Sequence, residues 1–175
     1  MGNWQDRIVG FERVAPDQLR ANPMNWRKHP ASQQSALTGI LNEVGWADAV
    51  KVSTKTGNIV DGHLRVELAL RNGDPTVPVL YLDVDDAEEK KLLATFDPIG
   101  AMAETDAEIL DALLREVNTG EAAIQEMLAA LATDAGMYGV GSDSVPNVEF
   151  KEYDESVADE VEYHECPECG HKWPK

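Results

Sequence analysis

Five consecutive residues, Asp61-Gly62-His63-Leu64-Arg65, set a carboxylate, an imidazole and a guanidinium around one glycine. They follow the apolar pair Ile59-Val60, which reads as a short strand, and lead into a helical pattern. A strand that turns through glycine into a helix start is a ready anion site. The first backbone N–H groups of the helix lack intrahelical partners, and the helix dipole adds positive potential. Gly62 is expected to let the backbone approach a ligand with no Cβ in the way. His63 and Arg65 fall in the first helical turn, and the forked, permanently charged guanidinium of Arg65 suits phosphate best. Asp61 is open to three roles: metal ligand, orienting group for His63, or base. The plain alternative is a helix that starts after Asp-Gly for capping reasons, with its polar side chains solvated.

A second group of chemistry-bearing residues lies near the end of the chain, in His164-Glu165-Cys166-Pro167-Glu168-Cys169-Gly170-His171. Two cysteines two residues apart, with proline and glycine in the turn, aim both sulfurs at one metal, as in one knuckle of a zinc ribbon. A structural Zn²⁺ takes four ligands, and no second cysteine pair is present. Either His164 and His171 complete the set, or two chains each donate a pair. An incomplete remnant and a redox dithiol are the alternatives, the latter without any thioredoxin-like context.

Charge narrows the partners. Up to Asp97 the chain has 11 Lys and Arg against 14 Asp and Glu, a net of −3; from Pro98 onward it has 4 against 18, a net of −14. General DNA binding through a basic face is disfavoured, because counterion release needs clustered positive charge. A local basic site in the first part remains open. No apolar run approaches a membrane span, and the first residues lack the basic and apolar regions of a signal peptide. With only two cysteines, both in one motif, the expected location is the reducing cytoplasm.

The elements that must position these residues follow from periodicity and caps. Residues 8–14 read as a strand, 16–20 as a short helical turn, and 22–30, with two prolines and two asparagines, as a loop. A helix over 32–44 is expected, capped by Ser32, with Ala36, Leu37, Ile40, Leu41 and Val44 on one face and Gly45 at its end. Strands are expected at 50–52 and 59–60 around a turn at 55–58, then a helix over 63–71 closed by Asn72-Gly73. Residues 76–82 are β-rich, with Pro78 implying an edge strand or a strand start. Asp85-Asp86-Ala87-Glu88 is a capping box opening a helix to about Phe96, and Thr105-Asp106-Ala107-Glu108 is a second such box. Asn118-Thr119-Gly120 separates that helix from another over 121–131. A glycine-rich linker over 136–144 precedes the acidic tail.

Taken in order, Leu19-Arg20-Ala21-Asn22-Pro23 with Arg27, the helix ending Glu43-Val44-Gly45, Ile59-Val60-Asp61-Gly62-His63-Leu64-Arg65, and Val77-Pro78-Val79 resemble the ParB-like N-terminal domain. The resemblance implies an α/β (α+β) fold: a small ParB/sulfiredoxin-like mixed-sheet domain over 7–97. A helical pair over 105–134, a flexible acidic linker over 135–165 and a zinc-knuckle-like motif over 164–173 would follow it. In that superfamily the glycine-centred motif binds nucleotide phosphates: partition proteins use CTP, while sulfiredoxins and free-serine kinases use adenine nucleotides. Leu64 stands where partition proteins carry the first of two arginines. His63 stands where sulfiredoxins carry their catalytic cysteine, which excludes sulfinic acid reduction. Asp61-Gly62-His63 with Arg65 is most similar to the kinase-like pattern, which has a second His at the place of Leu64. The resemblance also sets Arg27 near the phosphates, with Lys28 and His29 beside it. It sets Asp97-Pro98 where family members carry a polar pair facing the nucleotide.

The helices around Asn118-Thr119-Gly120 imitate the outline of a helix-turn-helix. The second carries no Lys or Arg, so it has the wrong chemistry for phosphates and base edges, and sequence-specific DNA binding is not expected. The resulting expectation is a nucleotide-binding ParB-like accessory protein of a phage or mobile element, of the type linked to methyltransferases, acting in DNA metabolism. Gly62, His63, Arg65 and Arg27 would hold CTP or ATP, and Mg²⁺ would accompany the triphosphate. The first alternative is an NTPase or small-molecule kinase with Asp61 and His63 catalytic, or Glu43 as base. The second is an adaptor that recruits a DNA-modifying protein partner or self-associates.

Overall fold

The computed structural model describes residues 4–137, together with the backbone of two short strands at 163–165 and 172–174. The chain divides into two compact units, Met1–Gly139 and Val140–Lys175.

In the first unit, β1 (Ile8–Val14), a short 3₁₀ turn (Pro16–Gln18), α1 (Ala31–Glu43), β2 (Val50–Ser53), β3 (Ile59–Asp61), α2 (His63–Asn72), β4 (Val77–Leu82) and α3 (Asp86–Ala101) follow in order. They are completed by α4 (Ala107–Glu116) and α5 (Ala122–Asp134). The 4-stranded sheet has the order β1-β4-β2-β3. β4 is antiparallel to β1 and parallel to β2, and β2 is antiparallel to β3, so the sheet is mixed. Val50, Val52, Ile59, Val77 and Val79 from the sheet and Val66 and Ala69 from α2 form the buried core. Branched side chains suit the strands, and the i, i+3 spacing of Val66 and Ala69 turns one face of α2 onto them.

Most expected elements are present, with shifts that have local causes. Helix α1 begins at Ala31, one residue before Ser32, and no side chain caps it; the Gln34 N–H bonds the Pro30 carbonyl instead. Asp85 and Glu88 form the expected reciprocal capping box. At α4 the cap is Asp106 rather than Thr105, its carboxylate accepting from the Glu108 and Ile109 N–H groups. Helix α3 continues through Pro98 to Ala101, past the expected end at Phe96. Pro98 lies in the last turns, where its missing donor leaves a single backbone bond unmade. Pro78 is the second residue of β4, as a strand start allows, but the strand itself lies inside the sheet.

Helix α5 packs on α1. Gly39 permits this approach: a Cβ at that position would lie 3.1 Å from Ile124 and from Glu121. Glu43, at the end of α1, accepts from Gly120 N–H at 2.7 Å and Thr119 Oγ1 at 2.8 Å, tying the loop before α5 to α1. These bonds, with a smaller one from Glu121, hold its carboxyl below the ordinary range. Among the described residues no helix is long and apolar enough to cross a membrane.

In the second unit β5 (Tyr163–Glu165) pairs antiparallel with β6 (Lys172–Pro174), with His164 opposite Trp173. Cys166, Cys169 and His171, and residues 138–162, which include most of the expected acidic linker, lie outside the described residues.

Candidate anion cleft

The N-terminus of α2 opens into a cleft of about 160 Å³ lined by Asn25, Arg27, His29, Gln33, Leu37, Asp61 to Arg65 and Asp97. Arg27, Asp61, Gly62, His63 and Arg65 are thereby brought together from a loop, a strand and a helix. Gly62 is the N-cap of α2 with φ +93°, a left-handed conformation that favours glycine. Its absent Cβ, however, faces Val50, where it would lie 3.2 Å from Val50 Cα. The glycine therefore answers to backbone geometry and to packing on β2, in place of the expected clearance for a ligand. Leu64 lines the cleft but is 5% exposed and belongs to the core.

Helix α3 carries the supports of the cleft on one face. Glu89, Leu93, Phe96 and Asp97 recur at helical spacing, and each meets a different piece of the site. Glu89 accepts from Asn22 Nδ2 at 2.6 Å and Asn58 Nδ2 at 3.1 Å, and also from the Thr56 hydroxyl. The Leu93 carbonyl accepts from Trp26 Nε1 at 3.2 Å. Lys51 Nζ lies 5.7 Å from the centroid of the Phe96 ring. Asp97 Oδ2 lies 2.6 Å from Arg27 Nε.

The electrostatics are more balanced than a basic cluster. Arg27 pairs with Asp97, Arg65 with Asp48 at 2.7 Å, and Asp61 with Lys51 at 2.6 Å. Arg27 is the more enclosed arginine, with 14% of its side chain exposed against 24% for Arg65. Its Nη2 is buried without a hydrogen-bond partner. An unpaired buried donor is costly and marks a place where an acceptor oxygen would be welcome. Burial alone would raise the Asp61 pKa, but the Lys51 hydrogen bond and charge, Arg65 and the Gly62 N–H together bring it below the ordinary value. His63 is moved the same way: burial lowers its pKa, Arg27 and His29 add to this, and Asp61 opposes it. Both groups are thus held in their deprotonated forms near neutrality.

Lys51, Asp48, Asp97 as an ion-pair partner, and Glu89 escaped the sequence reading. Only Glu89 left a trace, as an acid in the first turn of a capped helix, where the dipole alone would explain it. Glu43, considered as a base, serves the α1–α5 junction and does not line the cleft. Beside the cleft, and sharing Gln33, Leu37 and Arg65 with it, a larger and mainly apolar groove of about 1010 Å³ runs between α1 and α5.

No family model matches the sequence, and no curated protein does so. Solved structures do resemble this chain. The C-terminally truncated chromosome-partitioning protein ParB from Caulobacter crescentus, complexed with CTP-gamma-S, matches with a TM-score of 0.51 and 19% identity, over 77% of this chain and 89% of that one. The fold is ParB-like. A Pnob8-like ParB-N domain gives a TM-score of 0.44 at 14% identity, over 98% of this chain and 59% of that one. At 19% identity the likeness to the Caulobacter protein is one of fold.

Proposed function

We propose that the α2 cleft of this ParB-like chain binds the phosphates of a nucleoside triphosphate, CTP or ATP. The observation that carries this reading is the convergence of unpaired α2 N–H groups, Arg65 and the buried, partnerless Nη2 of Arg27 on one small cleft. The CTP-gamma-S bound to the Caulobacter ParB supports it. The adjoining groove offers room and apolar surface for the nucleoside. Mg²⁺ would arrive with the triphosphate, held mainly by phosphate oxygens and water. Among the described residues no cluster of three or more metal-ligating side chains forms.

We place the chain as a phage or mobile-element accessory factor in DNA metabolism, on the strength of its resemblance to such ParB-like members. Helix α5 packs on α1 and carries no basic residue, which supports a role without direct DNA reading. A second reading, recruitment of a protein partner, is favoured by α4, whose Ile109 and Leu113 are 68% and 57% exposed. For the terminal motif the reading remains Zn²⁺ on Cys166 and Cys169, with His164 and His171.

Thermal unfolding with CTP, ATP, GTP and ADP plus Mg²⁺ tests the cleft, on the wild type and on Arg65→Ala. A nucleotide-dependent rise in Tm that Arg65→Ala abolishes supports it, and phosphate release on turnover would add hydrolysis. No shift with any nucleotide overturns it and leaves the recruiting role.

A further inference from the structure

We propose that His63 serves the cleft as a neutral Nδ1–H donor and not as a base, its tautomer set by the Asn22 backbone, with Glu89 as the positioning residue. The role in ligand binding rests on the anion-cleft reading above; the tautomer and its support do not.

The Asn22 N–H donates to His63 Nε2 at 3.2 Å. An N–H can donate only to a ring nitrogen with a free lone pair, so Nε2 is unprotonated. A neutral imidazole then carries its proton on Nδ1. The ring has one lone pair and one proton, and the lone pair is already engaged. His63 can offer a ligand a hydrogen bond, but it cannot accept a proton at Nε2 without displacing the Asn22 backbone.

That backbone is not free to move. Asn22 is buried, its Nδ2 donates to Glu89 Oε1 at 2.6 Å, its Oδ1 accepts from the Met24 N–H at 2.9 Å, and its carbonyl accepts from the Asn25 N–H at 3.1 Å. Glu89 is also buried, and the same Oε1 accepts from Asn58 Nδ2, while Oε2 accepts from the Thr56 hydroxyl. Asn58 belongs to the β2–β3 hairpin, and the Ile59 N–H beside it donates to the Arg20 carbonyl at 2.9 Å. Strand β3 leads directly through Asp61 and Gly62 to His63. One carboxylate therefore ties down both ends of the Asn22–His63 bond: the loop that donates it and the strand that delivers its acceptor. Its donors are all neutral, and among the described residues no Lys or Arg is bonded to it, so the carboxylate acts as a fixed three-point acceptor. Asp61, the carboxylate facing His63, is committed to Lys51 and does not compete for this arrangement.

Long-range ¹H–¹⁵N correlation of the histidine rings in the full chain, without ligand, tests the tautomer at neutral pH. The expected result is a protonated Nδ1 and an unprotonated Nε2 on His63. A protonated Nε2 overturns the proposal in the wild type alone, whatever any variant does. Glu89→Gln is expected to leave the fold intact by circular dichroism and to turn the single tautomer into a mixture. Asn58→Ala, a smaller change to the same network, serves should Glu89→Gln fail to fold. A folded variant of either kind that keeps the wild-type tautomer removes Glu89 from its positioning role. With inorganic pyrophosphate as probe, His63→Asn, whose amide keeps a donor near the Nδ1 position, should bind within a few-fold of wild type. His63→Leu should bind roughly 3- to 10-fold more weakly, as for one lost neutral hydrogen bond. Equal loss in both variants overturns the donor role. Absence of pyrophosphate and nucleotide binding in the wild type overturns the anion-cleft reading and leaves the tautomer measurement standing.

Discussion

Replacing Gly62 with alanine separates two costs that the structure assigns to one position. Gly62, Gly57 and Gly73 all have positive φ, +93°, +72° and +77°. A Cβ at Gly57 or Gly73 would meet nothing within 4 Å, whereas at Gly62 it would lie 3.2 Å from Val50 Cα and 3.4 Å from Val50 Cγ2. The left-handed conformation costs an L-residue about 1–2 kcal/mol, offset by roughly 0.4–1 kcal/mol from the lower entropy of the unfolded alanine chain. Gly57→Ala and Gly73→Ala should therefore destabilise by about 1.5 kcal/mol or less. At Gly62 the neighbour is backbone of a buried strand with no side-chain rotation to relieve it, so an overpacking cost of about 1–3 kcal/mol is added. The three single variants, compared by urea unfolding at neutral pH, should show Gly62→Ala as the outlier by at least about 1 kcal/mol. A scan would place its Tm roughly 4–10 °C below the other two. Equal destabilisation of all three would refute the argument, since it would mean that the strand start at Val50 yields freely and the glycine answers only to its φ.

Other expectations follow from the ion pairs and the helix junction. Asp97→Asn should free Arg27 and tighten nucleotide binding, while Arg27→Ala should weaken it by about 1.5–3 kcal/mol, roughly 10- to 100-fold, in isothermal titration. Gly39→Leu should force Ile124 away from α1 and cost about 1–3 kcal/mol, read as early proteolytic cleavage within α5 while the sheet stays protected. Acid should weaken the fold in two stages. His63 has a folded pKa below 6.5, so its contribution is complete above that value and is lost as pH falls through the folded pKa. Asp61 behaves alike from 3.8 downward. Lys51→Met removes the main depressor of Asp61 and leaves burial unopposed by it, so the Asp61 stage should shrink or disappear from acid unfolding curves. Purified chain should contain zinc that Cys166→Ser abolishes; zinc near zero in both would remove the metal reading.

Much of the fold was legible because it rests on local signals. The β-rich run of β1, the valines of β2 and β4, the Asp85–Glu88 capping box and the glycine before α2 each act within a few residues. The glycine-centred motif likewise marked the cleft, since strand, turn and helix start are contiguous. What stayed hidden was pairing across the chain. Nothing near Lys51 tells that it will neutralise Asp61, and Asp48, Asp97 and Glu89 meet Arg65, Arg27 and Asn22 only after the sheet has formed. A cluster of cations therefore read as basic from its own residues, when folding supplies a carboxylate to each of its strongest members. Glu43 shows the same limit in reverse: its acidity suggested chemistry, and its partner at Thr119 lies in a segment that periodicity treats as separate.

The stripe on α3 has a consequence for how this site tolerates change over generations. Glu89 and Asp97 act through carboxylates and Leu93 through its main-chain carbonyl, so the segment between them cannot gain or lose a residue. One insertion would rotate everything after it by about 100° and carry Asp97 away from the loop it holds. Distant chains with this cleft should accordingly show drift at the solvent-facing positions between 89 and 97 and no change in the length of that segment. A search keyed to that fixed spacing would find them where one keyed to conserved letters falls silent.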